Sequence, residues 1–313
     1  MDLVRDKQDM VAFYLRTGLG LLFIIGGLSK LSLLLGSSTH DGMVASYMGT
    51  SGYINSLFQD YLFTGWVGEL LSPSLFLTSL SAFEFFSGIA LVAGFLVRPL
   101  ALIYGFLLWT FVIALPTMTV PGVTIDVKTY TSPAIFVQIR DIALSGMMFV
   151  LFNLGAGKYS LDYRMGQAHR NVDWNNLGLL LRFSVGMIFI VAGFFGAFSK
   201  VPNFATAQPI LAIIGLGLIF GNEKIVKISG IAVMCVMLWY ILFKLNVDKG
   251  IIANLNGVKR EFAIFSAGLA LFFVGGGLRF TLSDILHRTQ GYFSRTRQSN
   301  SQAYNQDENY SLK

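Results

Sequence analysis

Long apolar runs recur along this chain, more than one water-soluble core can bury. They lie near residues 12–35, 76–97, 99–118, 139–157, 178–198, 207–221, 228–246 and 261–278. A helix crosses the hydrocarbon core of a bilayer with about 20 apolar residues, and the runs approach that length except for the short one at 207–221. Backbone in hydrocarbon has no water to bond, so each run satisfies its own N–H and C=O groups only as a helix. Charged residues make up 13% of the chain, against roughly 25% in soluble domains. Mean hydropathy is +0.63. The expected fold class is all-α: a polytopic membrane protein of about eight transmembrane helices.

The connections alternate in charge. Segment 36–75 holds Asp41, Asp60 and Glu69 and no lysine or arginine. Segment 158–177 holds Lys158, Arg164 and Arg170, the 222–227 turn holds Lys224 and Lys227, and five more basic residues follow position 278. Positive loops stay on the cytoplasmic side, which places both termini in the cytoplasm. The 247–260 loop opposes this, since it puts Lys249, Lys259 and Arg260 outside. The net charge of +6 comes from such connections and not from one basic patch, so no nucleic-acid partner is expected. Arg5 and Lys7 precede a run that is too long for a cleavable signal and lacks a small-residue cleavage site. It reads as the first permanent span, with Arg16 near the inner edge anchoring orientation.

Within the outer segment, INSLFQDYLFTGWVGELL spaces Ile54, Leu57, Phe58, Tyr61, Leu62 and Val67 at helical intervals. That predicts an amphipathic helix near 53–71 on the outer surface. The tail at 289–313 is polar and rich in Asn, Gln and Ser, and is expected to be disordered or held by a partner. The single cysteine, Cys235, excludes an internal disulfide or a CxxC site and reads as a small buried hydrophobe. His40, His169 and His287 do not cluster, so no metal or haem is predicted. NVDWNN at 171–176 reads as the cap of the fifth span, GAGK at 155–158 as a helix terminus, and KYSLDY as a turn along the inner surface.

The two halves of the chain match in order. RTGLGLLFIIGG at 16–27 pairs with RFSVGMIFIVAG at 182–193. RDIALSGMMFVLFNLGAGKYSLD at 140–162 pairs with REFAIFSAGLALFFVGGGLRFTLSD at 260–284, and Arg140 precedes Gly155 and Gly157 by the same steps as Arg260 precedes Gly275 and Gly277. Two units follow, 1–165 and 166–288, as two four-helix bundles related in parallel.

The first unit resembles the DoxX/DoxD family of membrane proteins. LRTGLGLLFIIGGLSKL at the first span, EFFSGIALVAGFLVRPLAL at 84–102 and the 140–162 block carry the likeness, which extends more weakly over 178–286. The resemblance implies the membrane subunit of a thiosulfate:quinone oxidoreductase in a bacterial or archaeal cytoplasmic membrane. Quinone would be its substrate, with no metal, haem or flavin of its own. It equally implies a non-catalytic accessory subunit of a larger respiratory or photosynthetic complex, with other membrane subunits and lipid as partners.

Counting about 1.5 Å of rise per residue from the inner edge puts Lys30, Glu84, Arg140 and Asp141 in one layer of the outer membrane third. An ionised carboxylate there costs several kcal/mol unless paired, so Glu84 is expected to face Lys30 or Arg140, or to be protonated. The bland reading is a bridge that fixes helix packing. In the functional reading Lys30 and Arg140 hold an anion or a quinone carbonyl, and Glu84 or Asp141 handles protons. Tyr104, Trp109 and Tyr130 then line a quinone slot, unless they are interface anchors. In the second half Lys200, Arg260 and Glu261 repeat the rim, but Leu211 or a neighbour replaces Glu84.

Overall fold

Each apolar run forms a helix in the computed structural model, which describes residues 2–48, 52–118, 134–167, 172–196 and 206–286. In chain order these are α1 (Asp2–Leu34), α2 (His40–Met48), α3 (Ser56–Phe63), α4 (Gly65–Leu70), α5 (Pro73–Ala93) and α6 (Val97–Ile113). A 3-10 turn at Pro116–Met118 precedes α7 (Ala134–Leu154), α8 (Leu161–Arg164), α9 (Trp174–Phe195), α10 (Gln208–Phe220), α11 (Glu223–Lys244) and α12 (Ile251–Val274). Five of them, α1, α5, α7, α9 and α11, are long and apolar enough to cross a membrane, and α6 and α10 are apolar but shorter. The chain is a multi-pass membrane protein.

Local chemistry sets the helix ends. Ser72 accepts from the Leu75 N–H ahead of Pro73 at the start of α5, and Gly94 closes that helix with a φ of 75°. Asp173 and Asn222 cap α9 and α11 through their side chains. NVDWNN is therefore a cap, and GAGK ends α7 with Gly155 and Gly157 both at positive φ. KYSLDY does more than turn the chain. Asp162 is fully buried and accepts from the Leu96 and Val97 N–H groups, at 2.9 Å each, at the start of α6.

The two halves do not stand apart as separate bundles. Helix α1 packs between α5 and α12, and α9 packs between α10 and α7, while α6 lies on α7 and α11 on α12. The first and last spans of each half thus form the centre, each touching the opposite half. In lipid such contacts depend on close packing of small residues. A Cβ on Gly88 would lie 2.7 Å from the Ile24 nitrogen and 2.8 Å from the Gly20 oxygen. Gly186 and Gly215 repeat this contact between α9 and α10, where a Cβ on Gly215 would lie 2.8 Å from the Gly186 oxygen.

Four expectations change. Arg16, expected to anchor orientation at the edge of its span, is instead buried within the fold, only 2% exposed. It donates to the Leu91 oxygen at 3.3 Å and to the Val92 and Tyr159 oxygens, which absorbs carbonyls left over at the end of α5. Arg182 does the same at the end of α10, donating to the Ile219 and Gly221 oxygens and to the Arg279 oxygen. Second, most of the 247–260 loop is the first part of α12, so Lys259 and Arg260 are helix residues and not loop charges. Third, the outer amphipathic helix is broken into α3 and α4 where Gly65 takes a φ of 60°. Leu57, Tyr61, Trp66 and Leu70 on it are exposed, and Ile54 is buried beside it. Fourth, Cys235 is exposed on α11 and not buried. The tail expected beyond residue 288 lies outside the described residues.

Candidate functional site

Seven charged side chains from α1, α5, α7 and α12 gather in one layer of the interleaved core. The α5 face turned inward is a stripe of Leu77, Ser81, Glu84, Ser87, Gly88 and Leu91, spaced for one side of a helix. Its small members let α1 approach, and that approach brings Lys30 to Glu84. Lys30 Nζ lies 2.5 Å from Glu84 Oε2.

Arg140 does not join this pair. It crosses to the second half, where its Nη1 donates to Glu261 Oε1 at 2.5 Å. Its guanidinium lies over the Phe136 ring, 4.1 Å from the centroid. Asp141, the adjacent residue, accepts two bonds from Arg260, at 2.8 Å from Nε and 3.1 Å from Nη2. The Arg-Asp of α7 and the Arg-Glu of α12 therefore exchange partners, and each cation pairs with the other half's carboxylate. Proton handling by Asp141 and anion holding by Arg140 compete with these bonds, because both side chains are already engaged between the halves.

Lys259 completes the layer. Its Nζ donates to Asn256 Oδ1 at 2.8 Å. A Cβ built on Gly26 would sit 2.9 Å from that Nζ and 3.5 Å from Glu84 Oε2. Gly26 thus lets both the ammonium and the carboxylate close onto α1, where a methyl group would crowd them. The layer holds Lys30, Arg140, Lys259 and Arg260 against Glu84, Asp141 and Glu261, a surplus of one positive charge. Within this layer Lys259 hydrogen-bonds a neutral amide, and the charges of Glu84 and Asp141 act on it at longer range. Lys30 and Arg260 side chains are 14% and 21% exposed, whereas Arg140, Glu84, Asp141 and Glu261 are 6%, 5%, 4% and 2%.

Tyr104 and Trp109 do not face one slot. Tyr104 is fully buried, stacked on Phe23 at 3.7 Å between centroids, with its hydroxyl 2.5 Å from Ser87 Oγ. Trp109 is 43% exposed on α6. Five residues of α-helix turn a side chain about 140°, so the two point to different surroundings. Tyr130 and Lys200 lie outside the described residues, as do His169 and His287. His40 bonds the Leu34 oxygen through Nδ1 at 2.6 Å and Ser74 Oγ through Nε2 at 3.0 Å, tying α2 to its neighbours.

The paired glycines fix the register between the halves. Gly20 corresponds to Gly186 and Gly88 to Gly215, and Gly27 meeting Phe85 corresponds to Gly193 meeting Ala212. In that register the place of Glu84 is taken by Leu211, which is buried, and that of Lys30 by Gly196. Ile139 stands where Lys259 would be, and Ala192 where Gly26 would be. Lys259 escaped the sequence reading because its position was assigned to a loop. The signal available was the triplet Lys259-Arg260-Glu261, three charges immediately before the apolar part of α12.

Residues 11–118 match the family described as DoxX. No curated protein and no solved structure matches the chain.

Proposed function

We propose that this multi-pass membrane protein, whose residues 11–118 match the DoxX family, is the membrane subunit of a quinone-linked redox system that oxidises thiosulfate or a related sulfur compound at the outer face. Its setting would be the cytoplasmic membrane of a bacterium or archaeon. The observation that carries this reading is the Lys30–Glu84 pair, 2.5 Å apart and almost wholly buried in the outer layer. A buried carboxylate is costly, and the second half packs in the same manner with Leu211 in its place. In the proposed reaction two thiosulfate ions join through a new S–S bond and release two electrons. A quinone takes up those electrons with two protons and becomes the quinol. Glu84 relays protons toward the quinone and Lys30 balances the carboxylate between transfers. The test is thiosulfate-dependent reduction of a water-soluble quinone by the purified chain. Turnover in the wild type that falls at least tenfold in Glu84→Gln supports the reading. Turnover that is unchanged in the variant, or absent from the wild type, defeats it.

The reciprocal Arg140–Glu261 and Arg260–Asp141 pairs favour a second reading, a non-catalytic accessory subunit held rigid by its charges within a larger membrane complex. Co-purification of other membrane subunits under mild solubilisation supports that alternative, and a lone monodisperse chain opposes it.

A further inference from the structure

We infer that the corner where α1, α9 and α11 begin and α12 ends is a binding site for a zwitterionic headgroup of the phosphoethanolamine class. Its phosphate is held by Lys7 and the Trp174 indole N–H, and its ammonium by Glu223.

Lys7, Trp174 and Glu223 stand at the starts of three apolar spans, Asp6–Leu34, Trp174–Phe195 and Glu223–Lys244. Charged and indole side chains at span ends lie at the level of lipid headgroups. The interleaved packing brings the three starts together, since α1 and α11 both lie on α12. A cavity of about 230 Å³ opens between them, lined by Lys7, Gln8, Trp174, Asn175 and Glu223 and by Leu278 just after α12. Pockets for drug-sized ligands run to roughly 300–1,000 Å³, so this one suits a headgroup-sized molecule.

The first half closes its matching corner with its own chain. That corner lies between the end of α7 and the start of α6, with Gly157 in the place of Gly277. There the chain folds back as α8, and the buried Asp162 accepts from the Leu96 and Val97 N–H groups. Tyr163 and Gln167 line what remains, a space of about 10 Å³, enough for about one water. The chain after α12 takes another course. Asp284 accepts from the Phe280 N–H within its own turn, and none of the described residues beyond Leu278 lines the cavity. One corner is thus filled by packing and the other is open to a ligand.

The lining groups select the class of that ligand. The Trp174 indole nitrogen is buried and, among the described residues, has no hydrogen-bond partner. A buried donor left unmet is unfavourable, and an anionic oxygen relieves it. Lys7 adds a positive charge beside it. Glu223 brings the opposite sign, and the two charges are close enough to act on each other. Glu223 also bonds Lys227 at 2.7 Å, but its side chain is 52% exposed and a carboxylate has further acceptor sites. A cation and a carboxylate facing one space match a ligand that carries both signs. Leu278, 59% exposed, offers apolar surface to the glycerol and acyl part of a lipid. Free phosphoethanolamine presents the same polar chemistry.

Lys7 and Lys30 lie toward opposite ends of α1, so this site and the proposed redox function fail separately. The full chain in an uncharged maltoside detergent is titrated with phosphatidylethanolamine or with phosphatidylglycerol of the same acyl chains. Bound lipid is counted by native mass spectrometry, and free phosphoethanolamine is titrated calorimetrically into the same preparation. The expected result is one saturable phosphatidylethanolamine site, at least fivefold tighter than for phosphatidylglycerol. Glu223→Gln removes that preference. Trp174→Phe keeps an aromatic ring without the N–H and weakens binding at least threefold, while circular dichroism shows both variants folded. Binding of free phosphoethanolamine with the same dependence on both residues supports the site with a soluble occupant. No preference for phosphatidylethanolamine together with no binding of the free headgroup overturns the inference. So does a preference that survives Glu223→Gln, or binding untouched by Trp174→Phe.

Discussion

Removing Glu261 while leaving Arg140 tests the partner exchange between the halves in energetic terms. At 2.5 Å, two opposite unit charges attract by about 7 kcal/mol in surroundings of effective dielectric near 20. Desolvating the two ions opposes that by several kcal/mol each, so the intact pair contributes little net stability compared with two apolar side chains. Glu261→Gln upsets the balance. The Arg140 side chain is 6% exposed and keeps its desolvation cost after its partner is neutralised, with the Phe136 oxygen and ring as remaining contacts. The expected loss is about 3–5 kcal/mol. Arg140→Met alone strands Glu261 and costs a similar amount. The double variant Arg140→Met, Glu261→Leu removes both charges and recovers to within about 2 kcal/mol of the wild type. Equilibrium unfolding in a series of mixed micelles of rising dodecyl sulfate content, followed by circular dichroism, supplies the four free energies of the cycle. Single variants that each cost less than about 1 kcal/mol, or a double variant that costs their sum, refute the reasoning.

Other perturbations have distinct signatures. Arg16→Met frees carbonyls at the end of α5 and costs about 1–3 kcal/mol for each one left unsatisfied. Arg16→Lys recovers only part of this, because an ammonium lacks the planar fork that reaches both Val92 and Tyr159; the same unfolding assay reads both. Gly88→Val drives a side chain into α1 backbone and lowers stability by about 1–3 kcal/mol or more, whereas Gly42→Ala, with open space around it, stays within about 1 kcal/mol of the wild type or gains slightly. Just after α7 the Lys158 ammonium lies 2.6 Å from Asp6, and this bond raises its pKa above the ordinary 10.5. A raised value contributes stability in full below the ordinary pKa and loses it as pH climbs through the folded-state value. The melting temperatures of wild type and Asp6→Asn therefore converge at strongly alkaline pH, and 1 M salt narrows their gap at neutral pH.

The helices were legible because a bilayer allows one solution to the backbone bonding problem, and each apolar run follows it. The common layer of Lys30 and Glu84 was legible from helical rise alone, since both are counted from fixed edges of their spans. Partner choice was not. Arg140 meets Glu261 because α7 and α12 come together near the centre of the interleaved core, and no periodicity within either helix encodes which half a neighbour belongs to. Arg16 reads by sequence like any span-end arginine, and only the C-terminus of α5 beside it makes it a plug for backbone carbonyls. Leu211 or a neighbour was assigned the place of Glu84, and the matching Gly88 and Gly215 contacts put Leu211 there. Lys200 was matched to Lys30, but Gly196 holds that position in the glycine register.

The account depends on α1 of the first half lying against α12 of the second, since that contact brings Lys259 to Glu84. A Cβ on Gly18 would stand 2.5 Å from the Ser266 Cβ, somewhat inside the separation of about 3.5–4.5 Å typical of a disulfide, so slight relaxation admits one. Gly18→Cys and Ser266→Cys are introduced together with Cys235→Ser and a protease site inserted after Gln167. After mild oxidation and cleavage, the predicted result is two fragments that stay joined on a non-reducing gel and separate on reduction. Fragments that separate without reductant would contradict the interleaved packing, and with it the proposed meeting of Lys30, Glu84 and Lys259.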